Sequence, residues 1–449
     1  MSLPPTFLPS ANAAFASNPL NTLAMNACTT HDPTSILQNR THSAASHQHH
    51  YSVRCSKELK ATSQKSSGRC WIFACLNVMR NQMQKSMQLP DDFELSQTYV
   101  FYYDKLERCN YFLEQIIDTS SEPLDGRLVQ HLLYHPMNDG GQWEMLVNVI
   151  DKYGVVPKSV YGDSWSATAS VKFNRLMTAL LRGWAQELRD AAAEGKSKER
   201  LGEMKEAKMV EAHRVLTIHF GKPPESFEWS YHDSGKDKKF HLFQDQTPLS
   251  FYKDHVPLAV SEQCSLINDP RNEYFKAYTV DRLGNVAGGK PVLYVNVPID
   301  LLKKYTLETL QDDVPVWMGC DVGKDFNRAK QVMDTGQYDY DLVFGTGPKQ
   351  TKEQRLRYGQ SEMTHAMVFT GADLKEGESV PGRWRVENSW GSDTGDSGYA
   401  LMTDAWFTEY MYQIVIDKKR LQGDERIRAC LEETDPVVLP AWDPMGSLA

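Results

Sequence analysis

The stretch QKSSGRCWIF, from Gln64 to Phe73, is the most informative part of this chain for its fold and chemistry. It places the thiol of Cys70 at the start of an apolar helical run, directly after a turn of small residues. A helix N-terminus carries partial positive charge, which favours a thiolate over a thiol. Gln64 supplies a side-chain amide close enough in sequence to serve as an oxyanion-hole donor. The stretch therefore predicts a nucleophilic cysteine at the beginning of a buried helix.

Two segments far downstream carry the partners that such a thiol needs. The strand-like run MTHAMVF contains His365, and the run WRVENSWG contains Asn388. A histidine within hydrogen-bond reach can take the thiol proton and later protonate a leaving amine. An asparagine orients the imidazole through its side-chain carbonyl without competing for that proton. Cys, His and Asn in this chain order are the arrangement of papain-like cysteine peptidases.

Each of these residues also has an ordinary structural interpretation when it is taken alone. Cys70 would be a buried structural cysteine, His365 a histidine satisfied within a sheet, and Asn388 a turn residue. Together with Gln64, the matching order and local contexts favour a catalytic site. Cys75 follows Cys70 on the same helix, about 140° around the axis, and is interpreted as core.

The remaining metal and phosphate patterns are weak. Residues 47–50 contain three histidines, but no cysteine or carboxylate stands nearby at ligand spacing. Gly319 and Gly323 flank Cys320 without a phosphate-loop pattern and are interpreted as turn residues. We therefore expect no cofactor and no bound metal.

Length and charge restrict the class of protein further. The 449 residues suggest two or three folding units, or one enzyme domain with a large insertion. Acidic residues number 58 against 49 basic ones, so the net charge of −9 disfavours a general polyanion binder. No run approaches 18 apolar residues, and the opening Met1–Pro5 does not resemble a signal peptide. Eight scattered cysteines are typical of reduced thiols, so we expect a cytoplasmic protein without a membrane span.

The sequence predicts an α+β fold, with a helical half preceding a β-rich half. Helices are predicted from Cys70 to about Gln88, from an N-cap at Ser96 to about Ile117, and from Gln142 to Tyr153. Strands are predicted at 291–295 and 314–318. The predicted segments are an N-terminal arm (1–60), a helical half with the nucleophile (61–165), a helical insertion (166–260), a β-rich half with His and Asn (261–430) and a C-terminal tail (431–449).

The spacing of the site residues supports the insertion. His365 follows Cys70 by 295 positions, whereas the compact papain plan separates the two by about 130–150 residues. Roughly 150 extra residues therefore lie between them by comparison with that plan. The predicted architecture is a papain-like fold with a helical insertion and an extended C-terminal tail.

Several motifs together resemble the bleomycin hydrolase family of papain-like aminopeptidases, which includes bacterial aminopeptidase C. The stretch around Cys70 is similar, and so are segments 125–130, 138–143, 385–391 and 439–446. The resemblance runs from about residue 60 to the C-terminus, while the first 50 residues and 166–240 carry little of it. Arg69 stands where the general papain signature has a small residue, and this departure matches the family.

The resemblance implies further site residues and an assembly. Gly140 and Gly141 would line the cleft and bond the substrate backbone, and Trp390 would shield the His–Asn hydrogen bond from water. Family members are homohexamers with active sites facing an internal channel, and their helical insertion makes subunit contacts. They place their own C-terminus in the cleft, where its carboxylate meets the substrate ammonium. Here that residue would be Ala449, and one more residue is expected in a precursor.

The function that we expect is a cytoplasmic cysteine aminopeptidase of broad specificity acting on peptides. The resemblance also implies hydrolysis of the bleomycin amide and of homocysteine thiolactone. One alternative is a nucleic-acid-binding or regulatory hexameric scaffold, motivated by the channel that the resemblance implies and by basic residues between Arg54 and Arg69. Another is an ordinary papain-like endopeptidase, which would result if the tail did not enter the cleft.

Overall fold

The computed structural model describes residues 1–447. Its α-helices are α1 Phe7–Ala16, α2 Pro19–Cys28, α3 Pro33–Ile36, α4 Arg40–Ser46, α5 Cys70–Met87, α6 Gln97–Asp118, α7 Arg127–Tyr134, α8 Trp143–Tyr153, α9 Trp165–Thr168, α10 Val171–Ala193, α11 Lys198–Phe220, α12 Pro248–His255, α13 Ile299–Gln311, α14 Tyr340–Phe344, α15 Lys352–Arg357, α16 Asp404–Tyr410 and α17 Glu425–Leu431. Its strands are β1 Val53–Arg54, β2 Phe227–His232, β3 Phe240–Gln246, β4 Gln263–Ile267, β5 Lys276–Val280, β6 Tyr294–Asn296, β7 Val316–Cys320, β8 Phe326–Asn327, β9 Val332–Met333, β10 His365–Asp373, β11 Arg383–Glu387, β12 Tyr399–Thr403, β13 Met411–Asp417 and β14 Val437–Leu439.

The three helices predicted around the nucleophile are confirmed. Helix α5 begins at Cys70, and its first residues are buried on all sides. Helix α6 is capped by Ser96, whose side chain accepts a hydrogen bond from the backbone N–H of Tyr99. Helix α8 ends at Gly154, which has a positive φ suited to glycine. These helices form the layer on which the nucleophile rests.

The β-rich half is one large sheet whose strand order is β14-β5-β6-β4-β13-β7-β10-β11-β12-β9-β8, with β1 paired to β10. Side chains alternate across its faces, so β10 contributes Ala366 and Val368 to one core, and Met367 and Phe369 to a second. The first core packs against α5. Because β10 lies against α5, the strand that begins with His365 passes the start of the nucleophile helix.

The strands predicted at 291–295 and 314–318 exist but begin later than expected. Strand β6 begins at Tyr294 and β7 at Val316, each after a proline at position 291 or 315. Proline has no backbone N–H for a ladder hydrogen bond, so pairing begins beyond it.

The predicted helical insertion is helical only in part. Helices α10 and α11 pack on α6, but β2 and β3 form an antiparallel hairpin within the same segment. The helical prediction was therefore wrong for 227–246. The alternating aromatic residues of this segment stack across the hairpin, and the ring centroids of Trp229 and Phe243 are 5.4 Å apart. Such cross-strand pairs favour a sheet over a helix. The segment boundaries at 166 and 260 stay predictions.

The N-terminal arm contains helices α1 to α4 and is fastened to the sheet half by histidines. Nε2 of His42 and Nε2 of His47 lie 2.7 and 2.9 Å from the same carboxylate oxygen of Asp334. His47 belongs to the histidine run that the sequence offered as a weak metal candidate. None of the helices within residues 1–447 is long and apolar enough to cross a membrane.

Candidate active site

The nucleophile candidate lies at the junction of the two halves. Cys70 is 3% exposed and begins helix α5. Burial raises the pKa of its thiol to about 11, although hydrogen bonds from the backbone N–H groups of Ala366, Trp71 and Cys70 itself lower it. Ala366 directly follows His365 on β10. The sulfur is therefore next to the strand that carries the histidine.

The histidine and asparagine candidates are in direct contact. Nε2 of His365 lies 3.0 Å from Oδ1 of Asn388, which also accepts the backbone N–H of Ser389 at 2.8 Å. Nδ2 of Asn388 donates to Gln331 Oε1 at 3.1 Å, and this fixes the orientation of the amide. Because Oδ1 can only accept, Nε2 of His365 donates. The neutral ring therefore leaves Nδ1 free to accept a proton.

His365 is buried, with 5% of its surface exposed. Burial lowers the pKa of its imidazole to about 4, although the hydrogen bond with Asn388 raises it, and Arg328 lowers it further. The ring of Trp390 lies 5.3 Å from the imidazole, centroid to centroid, tilted by 39°. Trp390 therefore covers the imidazole, beside its hydrogen bond to Asn388.

Gln64 joins the two sides of the site. Its Oε1 accepts the hydroxyl of Ser389 at 2.6 Å, and its backbone N–H donates to the Ser389 carbonyl at 2.8 Å. Its Nε2 donates one hydrogen to the Ser67 carbonyl. An amide nitrogen has two hydrogens, so a second remains for a substrate oxyanion. Gln64 is buried, with 7% of its surface exposed.

Buried charges hold the turn before Cys70 in place. The guanidinium of Arg69, which is fully buried, donates to Asp163 at 3.1 Å. Asp139 accepts from the backbone N–H of Gly68 at 2.9 Å and from Lys105 at 2.8 Å. Burial raises the pKa of Asp139, but the charge and hydrogen bond of Lys105 outweigh it and hold that pKa well below its usual range. The large residue at position 69 is thus a structural support of the nucleophile turn.

Gly141 packs against Trp71, the residue after Cys70. A side chain at Gly141 would meet the ring of Trp71 at 2.7 Å, so no larger residue fits there without rearrangement. The Trp71 ring is itself held by its Nε1, which donates to the Asp139 carbonyl at 2.7 Å. Gly140 lines a cavity of about 520 Å³ that also includes Glu362 and Ser447.

The C-terminal segment reaches this cavity. Nε2 of Gln142 donates to the carbonyl of Ser447 at 2.7 Å. Ala449, for which the family resemblance implies a place at the end of the cleft, lies outside the described residues. The segment up to Ser447 therefore lies against the same loop as Gly140 and Gly141.

Sequence reasoning did not find three residues that support the site. Gln331 orients Asn388, while Asp139 and Lys105 brace the nucleophile turn. Asp139 belongs to a motif that carried the resemblance, so that motif could have indicated it. Gln331 and Lys105 stand in segments without a distinguishing pattern.

Comparisons with known proteins agree with this geometry. A bleomycin hydrolase of Mus musculus is 47% identical over 444 residues, which are 96% of each chain. Cysteine proteinase 1, mitochondrial, of Saccharomyces cerevisiae is 43% identical over 394 residues, which are 86% of this chain and 80% of that protein. The crystal structure of PepW from Lactobacillus rhamnosis HN001 has a TM-score of 0.96 at 38% identity, covering 100% of this chain and 99% of the other.

The fold and the site define a papain-like cysteine peptidase, and this confirms the predicted class. The profile of the Peptidase C1-like family matches residues 3–446. The chain belongs to that family. The resemblance to bleomycin hydrolases that the motifs indicated is confirmed over nearly the whole chain.

Proposed function

We propose that this chain is a cysteine aminopeptidase of broad specificity that releases N-terminal residues from peptides. Cys70 is the nucleophile, His365 the general acid and base, Asn388 its orienting partner and Gln64 an oxyanion donor. The observation that carries the aminopeptidase assignment is the contact of Gln142 with Ser447. It brings the C-terminal segment against the wall of the cleft.

Acylation begins with transfer of the Cys70 proton to Nδ1 of His365. Burial disfavours a thiolate at Cys70 and an imidazolium at His365 when either forms alone. Both side chains are therefore neutral in the free site. The transfer forms two opposite charges next to each other, and their attraction in a buried setting offsets the desolvation cost. The thiolate attacks the carbonyl carbon of the first peptide bond, and the imidazolium then protonates the departing amine.

The negative oxygen of the tetrahedral intermediate needs donors at the start of α5. The backbone N–H of Cys70 and the second Nε2 hydrogen of Gln64 supply them, each worth roughly 3 kcal/mol. Water activated by His365 then attacks the thioester, and the N-terminal amino acid is released with the thiol restored. Gly140 and Gly141 bond the substrate backbone, and Trp390 keeps water from the His365–Asn388 hydrogen bond.

Specificity for the N-terminus comes from the chain's own C-terminus in this proposal. The terminal carboxylate of Ala449 pairs with the substrate ammonium. The tail also blocks any substrate whose chain continues beyond the position of that ammonium. Hydrolysis of the bleomycin amide and of homocysteine thiolactone belongs to the same proposal, since each presents an acyl carbon near a free amino group. The names of the bleomycin hydrolase relatives support the first of these substrates.

The proposal includes assembly into a homohexamer in the cytoplasm. Leu176 on α10 and Val210 and Ile218 on α11 are exposed, which supports subunit contacts through these helices. Sedimentation equilibrium tests the hexamer. The name of the yeast relative includes a mitochondrial location, so fractionation of cells must compare both compartments.

Nucleic-acid binding stays a weaker alternative. Two basic residues that motivated it have carboxylate partners, because Arg54 pairs with Glu58 at 2.6 Å and Arg69 is buried beside Asp163. Binding that weakens steeply with salt and survives Cys70→Ala would support the scaffold function.

The experiment that tests the aminopeptidase compares one fluorogenic aminoacyl amide bearing a free amine with its N-acetylated twin. Cys70→Ala serves as the blank. We expect strong preference for the free amine, because only that substrate carries the ammonium. Comparable rates would identify an endopeptidase with an open cleft. Absence of thiol-dependent turnover of either substrate would contradict the peptidase proposal.

A further inference from the structure

A buried cluster of charges joins the C-terminal segment to the body of the protein. Arg271 follows strand β4 and donates Nε and Nη2 to the two carboxylate oxygens of Asp269, at 2.9 and 2.8 Å. The same guanidinium donates Nη1 and Nη2 to Asp443 at 3.2 and 2.7 Å. One arginine therefore makes a two-point contact with a carboxylate of the body and another with a carboxylate of the tail.

The cluster is sheltered from solvent. The side chains of Arg271 and Asp443 are each 10% exposed, and that of Asp269 is 1% exposed. Burial lowers the pKa of Arg271, but the hydrogen bonds of Asp269 and Asp443 outweigh it and raise that pKa above its ordinary value. Paired contacts of this kind fix direction as well as distance. The contact thus determines where residue 443 stands.

Further hydrogen bonds continue from this point along the tail towards Gln142. Oδ1 of Asp443 accepts the backbone N–H of Met445 at 2.9 Å, and the hydroxyl of Tyr294 donates to the Met445 carbonyl at 3.1 Å. The next contact is Gln142 with the carbonyl of Ser447. A slip of the tail by one residue would move its end by about 3.5 Å, which is enough to lose an ion pair with a substrate amine.

We propose that Arg271 and Asp443 form a tail clamp, a positioning pair that sets how far the C-terminal segment enters the cleft and so confines the enzyme to free N-termini. The proposal rests on the aminopeptidase function. Its chemistry predicts that a loosened tail admits substrates whose amine is blocked or extended by further residues.

The test uses Asp443→Ala in the full-length chain. Arg271 keeps its pair with Asp269 in this variant, so the body retains its buried charges. Asp435→Ala is the matched control, because Asp435 belongs to the same tail but is exposed. Asp443→Asn is a second variant that keeps the size of the side chain and an oxygen for the Met445 N–H.

Two readouts separate positioning from general stability. The first is the ratio of kcat/KM for the free amine to that for the N-acetylated twin, which we expect to fall at least about tenfold in Asp443→Ala. The second is hydrogen exchange of the amides in 439–447, which we expect to become faster. The Asp435→Ala control should change neither, and Asp443→Asn should lie between control and Ala.

The outcomes distinguish the clamp from the aminopeptidase itself. A wild-type enzyme without free-amine preference overturns both proposals. A wild-type preference that persists in Asp443→Ala, with or without faster exchange, overturns the clamp and leaves the aminopeptidase standing. A lowered ratio with retained turnover of the free amine supports the clamp.

Discussion

The turn before Cys70 and the imidazole of His365 are held in place by different kinds of contact. On the nucleophile side, the turn before Cys70 is braced by buried ion pairs, with Arg69 against Asp163 and Lys105 against Asp139. On the base side, the contacts of the histidine are neutral. His365 bonds the amide of Asn388, which bonds Gln331 in turn.

The difference follows from what each side must do. A charged brace beside the imidazole would shift its proton affinity, so amide hydrogen bonds orient His365 without adding charge. The backbone before Cys70 only has to be held in shape, and buried ion pairs do this through direction and hydrogen bonding. We therefore expect variants of the nucleophile-side braces to change stability, and variants around the catalytic groups to change turnover.

The largest effect should follow from removing the nucleophile. Cys70→Ala should lower kcat/KM by at least about 10⁴-fold while the fold is retained, because no other group attacks the carbonyl. Steady-state kinetics with circular dichroism checks both expectations. Cys75→Ala is the matched control, since this cysteine is buried on the same helix and should keep turnover. Full activity of Cys70→Ala would contradict the assignment of Cys70 as the nucleophile.

The next largest effect should be on stability. Asp139→Asn removes one partner of a buried pair and leaves Lys105 uncompensated, which should cost about 3–5 kcal/mol of unfolding free energy. Since the pKa of Asp139 is held below its unfolded value, its contribution is present above about pH 4 and is lost as pH falls further.

Urea denaturation at pH 7 and at pH 3 measures this difference. The difference in unfolding free energy between wild type and Asp139→Asn should be smaller at pH 3 than at pH 7. Asp190→Asn, on the exposed face of α10, provides the control and should leave stability unchanged. Equal stability of Asp139→Asn and wild type at pH 7 would contradict the brace.

Loss of the oxyanion donor should act on turnover. Gln64→Ala should lower kcat by about 10²–10³-fold with little change in KM, because the lost hydrogen bond forms mainly in the transition state. Ser389→Ala removes only the hydroxyl that orients the amide, so its loss should be smaller. A Gln64→Ala enzyme with unchanged kcat would remove Gln64 from the mechanism.

The smallest effect should come from a distant charge. Arg328 lowers the pKa of His365, so Arg328→Ala should raise it and move the acidic limb of kcat/KM, where His365 takes up a proton, to higher pH. The shift of this acidic limb should be less than about one pH unit, because Arg328 is exposed and screened by salt. A shift to lower pH, or one that grows with salt, would be inconsistent with this origin.

The sequence was informative where a short pattern carries the chemistry. Cys70 at a helix start, and His365 and Asn388 in distant strand-like runs, needed only local context and chain order to be predicted as one site. The helices around the nucleophile could also be predicted, because an N-cap such as Ser96 and a C-terminal glycine such as Gly154 are local sequence signals.

What the sequence did not reveal depends on contacts between distant segments. Gln331 bonds Asn388 across 57 positions of the chain, and Arg271 bonds Asp443 across 172 positions. Neither Gln331 nor Arg271 belongs to a local sequence pattern that indicates its partner. The hairpin around Trp229 lies directly after a charged, helix-forming segment, and that composition predicts helix rather than strand if it is extended past Phe220. Its cross-strand stacking is visible only after pairing is known.

Trapping the acyl-enzyme tests the role of Cys70 and the preference for a free amine in one experiment. A free-amine aminoacyl ester is mixed with excess enzyme, quenched in acid within milliseconds, and mapped by mass spectrometry. We expect an aminoacyl adduct on the peptide that contains Cys70, absent from Cys70→Ala and much reduced with the N-acetylated ester. Turnover without a Cys70 adduct, or an adduct that forms equally with the acetylated ester, would contradict this expectation.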